Sequence, residues 1–132
     1  MKIVRFAAGK EIKYGILNGE SIQAIVGKPF RAVKPADHRY RLSEVKLLAP
    51  CLSSKIVAMG LNYRKHAEEV KAPIPENPLI FLKPPTSVIG PEDNIVLPPS
   101  STRVDYEGEL AVVIKKETRH VSEAEALDYV LG

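Results

Sequence analysis

The sequence predicts a β-rich, mixed α/β fold that opens with a small antiparallel sheet. Three short apolar runs lie at residues 2–6, 12–17 and 21–26, and the turns Ala8-Gly9-Lys10 and Asn18-Gly19 separate them. Asn-Gly between two apolar runs is a strong hairpin signal, because both residues tolerate the positive φ of a tight turn. Most of the 11 prolines lie between Pro73 and Pro99, which favours short extended segments there over long helices.

Composition excludes several classes of protein. The chain of 132 residues is 45% hydrophobic and 27% charged, which is ordinary for one domain with a core. No apolar stretch approaches the roughly 20 residues of a membrane helix, and the N-terminus lacks a signal-peptide apolar region. The single cysteine, Cys51, excludes an internal disulfide and fits a reducing compartment. We therefore expect a cytoplasmic protein with no membrane partner.

The chain divides into two predicted parts. Residues 1–49 form a small N-terminal β domain, in which 28–46 is a connecting segment. Its basic residues are either a nucleic-acid footprint or a solvated loop. The segment lacks a binding motif and has few interleaved aromatics, so we favour the loop and expect no nucleic-acid partner. The basic residues are Lys28, Arg31, Lys34, Arg39, Arg41 and Lys46.

Residues 50–132 form the second predicted part, which mixes short strands with short helices. A helix over 62–70 would begin at Asn62 as N-cap. A second helix would begin at Ser122, where Ser122 and Glu125 have the spacing of a capping box, and end at Gly132. The predicted strands, of which the first is taken as buried and the last is the longest, are 56–59, 79–82, 88–89, 95–97 and 105–114.

The acidic run Asp105-Tyr106-Glu107-Gly108-Glu109 is the first candidate site. Alternate residues of a strand share one face, which places neighbouring carboxylates roughly 7 Å apart at Cα. Like charges at that spacing repel, and a hard cation such as Mg²⁺, Mn²⁺ or Ca²⁺ relieves the repulsion. On spacing alone we favour the alternative, a strand that shows its acidic side to solvent, because Glu-x-Glu is a common pattern.

The second candidate is the pair His66 and Glu69, which are neighbours at i, i+3 if 62–70 is helical. A carboxylate beside an imidazole raises its basicity and fixes its tautomer, as a general base requires. The alternative is an ordinary histidine on an exposed charged helix.

A third group of candidates follows the strand 79–82. Lys83 could meet a substrate carboxylate, and Thr86 and Ser87 could donate hydrogen bonds, although a solvent-exposed turn explains them equally well. Arg103 precedes the acidic run and is a possible partner for Asp105 or for a substrate carboxylate.

Taken together, these motifs resemble the fumarylacetoacetate hydrolase superfamily, in particular its bacterial and archaeal branch of isomerases, acylpyruvases and oxaloacetate decarboxylases. The resemblance covers about residues 55–132, and the opening hairpins are similar to the small N-terminal domain of that branch. The motifs are Gly60-Leu61-Asn62-Tyr63 with His66 and Glu69, Ile80-Phe81-Leu82-Lys83-Pro84, Ser87-Val88-Ile89-Gly90-Pro91, Val96-Leu97-Pro98 and Val104-Asp105-Tyr106-Glu107-Gly108-Glu109-Leu110.

The resemblance implies part of a fumarylacetoacetate-hydrolase-type β-roll and an enzyme acting on 2-oxo acids or 1,3-dicarbonyl compounds. Glu107 and Glu109 would bind Mg²⁺ or Mn²⁺, with Asp105 outside the ligand set, and His66 with Glu69 would be the general base. The reaction would be hydrolysis, decarboxylation or isomerisation through a metal-stabilised enolate. Such enzymes are commonly homodimers. The substrate pocket would include Asn62, Tyr63, Lys83 and Ser87.

One departure from the family pattern leaves an alternative open. The family's third metal ligand is an aspartate that would fall just past Gly132, so the chain resembles the N-terminal part of such an enzyme. It would then need a second polypeptide or a longer chain, and alone we expect it to be inactive. The alternative is a non-catalytic structural or binding module of this family.

Overall fold

A computed structural model describes all of residues 1–132, which form two compact units, residues 1–48 with 92–132 and residues 49–91. The first unit contains a five-stranded antiparallel sheet of order β4-β3-β2-β1-β5. Its strands are β1 (Lys2–Ala8), β2 (Glu11–Asn18), β3 (Ser21–Ile25), β4 (Pro35–Arg41) and β5 (Lys46–Leu48). No helix is long and apolar enough to span a bilayer.

The first three strands confirm the predicted sheet, but the hairpin turn lies one residue later than predicted. Asn18 is the last residue of β2 and pairs with Ser21, so Gly19 and Glu20 form the turn. Gly19 has φ +56° and Glu20 lies outside the positive-φ region. This is the φ pattern of a type II′ turn, in which glycine supplies the positive φ at the first central position.

The prediction of a connecting segment over 28–46 was wrong, because β4 and the start of β5 lie in it. β4 is polar and has no apolar periodicity of its own. It forms by pairing with the edge of β3, where Ile22 lies opposite Tyr40. The Tyr40 ring then packs edge-on against Phe6, with centroids 5.1 Å apart. Pairing and one aromatic contact therefore supply what the local pattern lacks.

The most deeply buried side chains of this sheet pack around a glycine. Phe6 and Ile22 are fully buried. Both lie against the backbone of Gly15, where an added Cβ would come within 2.4 Å of Ile22 Cγ2 and 3.1 Å of Phe6 Cε1. Glycine at this position lets two large side chains close over the middle of β2.

The second unit contains an antiparallel pair, β6 (Ile56–Gly60) and β7 (Leu79–Lys83). Both strands were predicted, but the expectation that β6 is buried was wrong. Register places Val57 opposite Leu82 and Met59 opposite Ile80, so these four side chains share one face. Their exposed fractions are 50%, 67%, 39% and 60% in that order, so the face is open.

A short helix, α1 (Arg64–Glu69), connects the two strands. Tyr63, not the predicted Asn62, is its N-cap, and no side chain caps it. The helix ends in a Schellman motif, in which the Ala72 N–H donates to the Ala67 carbonyl at 2.9 Å and the Lys71 N–H to that of Glu68 at 3.1 Å. Lys71 occupies the usual glycine position with φ +54°.

The remaining predicted strands, 88–89, 95–97 and 105–114, were wrong, since these residues form no ladder. A strand needs a neighbour for its backbone groups, and residues 104–112 are exposed and belong to no ladder. Ile114 alone forms a bridge, with Val130. Short 3₁₀ turns lie at Leu42–Glu44, Pro85–Ser87 and Glu123–Tyr129.

The predicted terminal helix was also wrong, since Glu123–Tyr129 is a 3₁₀ helix. The Ser122 hydroxyl donates to the Glu125 carboxylate at 2.6 Å and does not cap a backbone N–H. Gly132 is not a helix cap. Its carbonyl accepts from the Val113 N–H at 2.8 Å, which ties the terminus to 113–115.

Candidate active site

The acidic segment lies in irregular, exposed backbone, and its first carboxylate is already paired. Arg103 Nε lies 2.7 Å from Asp105 Oδ2 and 3.0 Å from Oδ1. This geometry confirms the predicted pairing of Arg103 with Asp105. Glu107 and Glu109 are exposed further along the same segment. The run thus divides into one carboxylate held by a guanidinium and two glutamates two residues apart.

The donor chemistry of Glu107 and Glu109 fits a hard divalent cation. Carboxylate oxygens are the ligands that Mg²⁺, Mn²⁺ and Ca²⁺ prefer, and Mg²⁺ usually keeps several waters beside one or two carboxylates. Across the chain, no group of three or more His, Cys, Asp or Glu side chains is arranged to hold a metal ion. These residues therefore offer two protein ligands and leave the other coordination positions to water, substrate or further donors.

His66 and Glu69 are brought together on α1, as their spacing predicted. Glu69 Oε2 lies 3.6 Å from His66 Nδ1. This separation is too long for a hydrogen bond and short enough for attraction between a carboxylate and a protonated imidazole. Ala67 is buried and anchors the helix between them, while both site side chains reach solvent. The helix thus presents an imidazole and a carboxylate side by side at its surface.

The entry to this helix has a backbone feature that the sequence did not reveal. A Cβ on Gly60 would come within 2.9 Å of Leu79 Cδ2, so β6 ends in close contact with β7. Leu61 follows with φ +50°. Left-handed backbone is predicted from glycine or asparagine, and a leucine gives no such signal. Asn62 and Tyr63 come next, and both are exposed.

Lys83 and Ser87 lie at and after the end of β7. The Lys83 ammonium is 5.9 Å from the centroid of the Phe81 ring. The Ser87 hydroxyl donates to the Pro84 carbonyl at 2.7 Å, which uses its one proton and leaves its oxygen as an acceptor. Lys83 is therefore the cation of this turn, and Ser87 stabilises the turn itself.

The predicted site residues fall in both units. Asn62, Tyr63, His66, Glu69, Lys83 and Ser87 belong to the unit of residues 49–91, and Glu107 and Glu109 belong to the other unit. Their assignment to substrate, proton transfer and metal stays a prediction.

Comparison with known proteins identifies the class. The family model described as fumarylacetoacetate (FAA) hydrolase C-terminal matches residues 55–132. This match covers more than half of the chain, which therefore belongs to the fumarylacetoacetate hydrolase family. Residues 1–50 match a second model, described as Rv2993c-like, N-terminal. The first match contains both the His66–Glu69 pair and the two glutamates.

Individual relatives agree with this class. The chain is 58% identical over 91 residues to an uncharacterized protein of Archaeoglobus fulgidus, covering 69% of this chain and 36% of that protein. It is 41% identical over 115 residues to a mitochondrial oxaloacetate tautomerase of Homo sapiens, covering 86% of this chain and 36% of the tautomerase. The second of these relatives supports, at a coarse level, a family that includes enzymes of tautomerase type.

A solved structure supports the fold class. The crystal structure of 5-carboxymethyl-2-hydroxymuconate delta-isomerase from Mycobacterium smegmatis matches with a TM-score of 0.88 and 36% identity, covering 100% of this chain and 52% of the isomerase. The predicted fold, a small antiparallel sheet followed by part of a fumarylacetoacetate-hydrolase-type fold, is confirmed at this level. The chain spans about half the length of this relative and 36% of the length of the two relatives above.

Proposed function

We propose that this chain contributes to a divalent-metal-dependent enzyme that acts on 2-oxo acids or 1,3-dicarbonyl compounds. The observation that carries the proposal is that a single family match, over residues 55–132, contains both a pair of glutamates and a histidine with a neighbouring carboxylate. Proton transfer next to a carbonyl group needs a base and a means of stabilising the enolate, and these two groups match those two needs.

The proposed metal ligands are Glu107 and Glu109. The two glutamates would hold Mg²⁺ (or Mn²⁺ or Ca²⁺) through carboxylate oxygens on exposed side chains. When bound, the ion would supply Lewis-acid stabilisation of an enolate. The proposal leaves Asp105 outside this set, and its ion pair with Arg103 supports that choice.

His66 is the proposed general base. Its Nε2 accepts a proton from water or from a carbon beside a carbonyl, and the Glu69 carboxylate 3.6 Å from Nδ1 stabilises the imidazolium that forms. Lys83 supplies a positive charge for a substrate carboxylate. Asn62, Tyr63 and Ser87 complete the polar surface of the substrate pocket in this proposal. The substrate class is therefore a small anion with two carbonyl oxygens in chelating positions.

The proposed enzyme is larger than these 132 residues, because its relatives are. Further donors to the ion and further walls of the pocket are proposed to come from the part of the fold that the relatives have in addition. That part would lie on a longer chain or on a second polypeptide. The complete enzyme is proposed to be a homodimer. We propose a cytoplasmic location, consistent with the single cysteine. On its own this chain is expected to turn over no substrate.

A non-catalytic structural or binding module of this family is the second candidate. It is favoured by one observation, that no group of three or more metal-binding side chains is arranged in the structure. The two proposals differ in whether Glu107 and Glu109 bind an ion at all, because a module that only binds or supports another polypeptide has no need of the metal.

The ligand assignment is tested by Mn²⁺ binding to the 132-residue chain, followed as the loss of the free-ion signal in electron paramagnetic resonance. Weak binding by the unmodified chain is expected, and Glu107→Gln and Glu109→Gln should each remove it. Glu117→Gln, which neutralises another exposed glutamate of the same unit, is the matched control and should leave binding unchanged. Equal effects of all three substitutions would favour the non-catalytic module.

The role of His66 is tested in the full-length protein with oxaloacetate and an acylpyruvate as substrates. His66→Ala is expected to reduce turnover by about 100-fold or more, the range of general acid–base catalysis, with little change in Mn²⁺ affinity. Glu69→Gln should reduce turnover less and shift the pH dependence. Equal loss of turnover and metal affinity in His66→Ala would contradict the assignment of His66 as a base.

A further inference from the structure

A pocket lies in the N-terminal sheet where β3 separates from β2. The β2–β3 ladder begins at the pair Gly15 and Ala24, so residues 11–14 of β2 have no ladder partner on the β3 side. β3 continues along β4 instead, as far as the pairing of Ile25 with Pro35. Residues from both sides of this gap line a pocket of about 300 Å³. This volume lies at the lower end of the range for small-molecule sites, which fits a ligand with a single ring.

The walls of this pocket combine small apolar side chains with two rings. Ala24 is buried and Ala36 is half-buried, and both leave space that larger side chains would fill. The rings of His38 and Tyr40 lie 4.4 Å apart at their centroids, with an angle of 56° between their planes. Tyr40 also packs edge-on against Phe6, which holds its ring in place. Such a wall favours contact with another flat ring.

Lys13 gives the pocket a positive charge. Its Nζ lies 2.8 Å from Glu11 Oε2, and the side chain of Glu11 is 72% exposed whereas that of Lys13 is 33% exposed. Lys13 lines the pocket and Glu11 does not. The hydrogen bond to Glu11 raises the pKa of Lys13, so the amine is protonated at neutral pH. An ammonium has three donors, which allows it to bind a carboxylate in the pocket beside Glu11 or in its place.

We propose that this pocket binds a small aromatic carboxylate. Its ring lies against His38 and Tyr40, and its carboxylate meets the Lys13 ammonium, so the rings select a flat molecule and the charge selects an acid. The site lies within residues 1–50, which match the N-terminal family model, and shares no residue with the candidate active site. The N-terminal domain is then a ligand-binding unit, and this inference stands or fails independently of the proposed function.

A titration of the 132-residue chain with benzoate, followed by the NMR signals of its backbone amides, tests the proposal. Benzoate should shift the signals of residues that line the pocket, among them Lys13, Ala24 and His38, along curves that saturate. Acetate lacks the ring, benzyl alcohol lacks the charge, and cyclohexanecarboxylate lacks the flat ring. Each of these three probes should bind more weakly than benzoate by about threefold or more, because each loses one of the two contacts.

Substitutions in the ion pair test the role of the charge. Lys13→Gln should weaken benzoate binding by about fivefold, a modest factor because water screens a partly exposed ammonium. Glu11→Gln should strengthen it by about twofold, since it removes the carboxylate that competes for Lys13. Lys10→Gln, which removes a nearby lysine outside the pocket, is the matched control and should leave the affinity unchanged.

A substitution that fills the pocket tests its location. Ala36→Leu should weaken benzoate binding by about tenfold or more, because the larger side chain occupies the space of the ligand. Ala32→Leu, at an exposed alanine outside the pocket, is the control. The amide signals of Phe6 report whether the sheet is intact. If they move in Ala36→Leu, His38→Ala replaces it, removes one ring of the wall, and should weaken binding by about threefold.

Several outcomes would overturn the proposal. Shifts that do not saturate, or that saturate at residues outside the pocket, would show that the ligand has no site here. Benzyl alcohol binding as tightly as benzoate, or an unchanged affinity in Lys13→Gln, would show that the charge plays no part. Equal effects of Ala36→Leu and Ala32→Leu with the sheet intact would place the ligand elsewhere on the chain.

Discussion

The N-terminal sheet and the β6–β7 pair both consist of antiparallel strands with apolar side chains, yet only the first forms a closed core. The sheet of residues 2–48 has five strands and completely buries Phe6 and Ile22. The β6–β7 pair leaves one face open, and Ala67 is the one fully buried apolar side chain of its unit. Three or more strands with an apolar face can be stable alone, and a two-stranded pair generally cannot.

The difference teaches that apolar composition and burial are separate properties of a strand. β6 and β7 carry apolar residues on both faces, as strands that are covered on both sides do. In the structure, however, both strands are more exposed than strands that are covered on both sides. The N-terminal sheet instead buries side chains on both faces, with Phe6 and Ile22 on one face and Arg5 and Tyr14 on the other. We therefore expect substitutions in the two regions to have effects of different sizes.

The largest expected difference is between two phenylalanines. Phe6→Ala should lower the free energy of unfolding of the sheet by about 3–5 kcal/mol, because it leaves a cavity beside Ile22 and Tyr40. Phe81→Ala in β7, where Phe81 is 46% exposed, should cost less than about 1 kcal/mol. Urea unfolding followed by amide NMR signals of each region would measure both. Equal losses at the two positions would contradict the contrast between a closed and an open region.

A second pair of substitutions adds one methyl group to a glycine in the packed sheet, Gly15, and to a glycine in exposed backbone, Gly108. Gly15→Ala places a Cβ within 2.4 Å of Ile22 Cγ2 and 2.8 Å of the Gln23 carbonyl oxygen, and should destabilise the sheet by about 1–3 kcal/mol. Gly108→Ala meets nothing within 4 Å and should be neutral. Thermal unfolding of both variants is the measurement. A neutral Gly15→Ala would mean that the sheet opens more easily than its packing indicates.

The sequence predicted the elements whose causes are local in the chain and missed those whose causes are non-local. The first three strands were predicted because alternation and turn glycines act within a few residues. β4 was not, because it is a strand only by pairing with β3 and by the contact of Tyr40 with Phe6. Residues 105–114 were wrongly predicted as a strand, since their strand-like composition forms no ladder beyond the bridge of Ile114 with Val130.

In the candidate site, too, features with a local cause could be predicted and features with a non-local cause could not. The pairing of His66 with Glu69 follows from helical periodicity, and that of Arg103 with Asp105 from close spacing in sequence, so both were predictable. The positive φ of Leu61 and Lys71 was not, because neither residue type signals left-handed backbone. Which side chains meet across the chain depends on packing that the local pattern does not contain.

Lys71 provides a third and smaller prediction, in the open region. Lys71→Gly removes the Cβ penalty of left-handed backbone at the Schellman position and adds unfolded-chain entropy, for a net stabilisation of α1 of about 0.5 kcal/mol. Lys65→Gly, a matched lysine inside α1, should instead destabilise the helix by about 1 kcal/mol. Hydrogen exchange at the amides of Ala67 to Ala72 would report both. Destabilisation by Lys71→Gly would show that the helix end is not under strain.

The smallest expected effect concerns the surface of the closed sheet, where Lys13 Nζ lies 2.8 Å from Glu11 Oε2 on β2. The hydrogen bond and charge of Lys13 hold the pKa of Glu11 below its ordinary value, and the hydrogen bond to Glu11 raises the pKa of Lys13. For Glu11 the stabilisation is present above the pKa of the unfolded chain and is lost as the pH falls through the lowered folded value. For Lys13 it is present below the unfolded pKa and is lost as the pH rises through the raised folded value.

An NMR titration of the Glu11 side-chain carboxyl carbon tests this prediction. Its midpoint should lie below that of an unfolded peptide, and Lys13→Gln should return it to the ordinary range. Lys10→Gln, which removes a nearby lysine outside this ion pair, is the control and should leave the midpoint in place. A Glu11 midpoint that Lys13→Gln does not move would mean that the ion pair is not maintained in solution. The core of the sheet would then be well packed while its surface side chains are not held in fixed positions. An exposed ion pair stabilises a protein only when both side chains stay in one geometry.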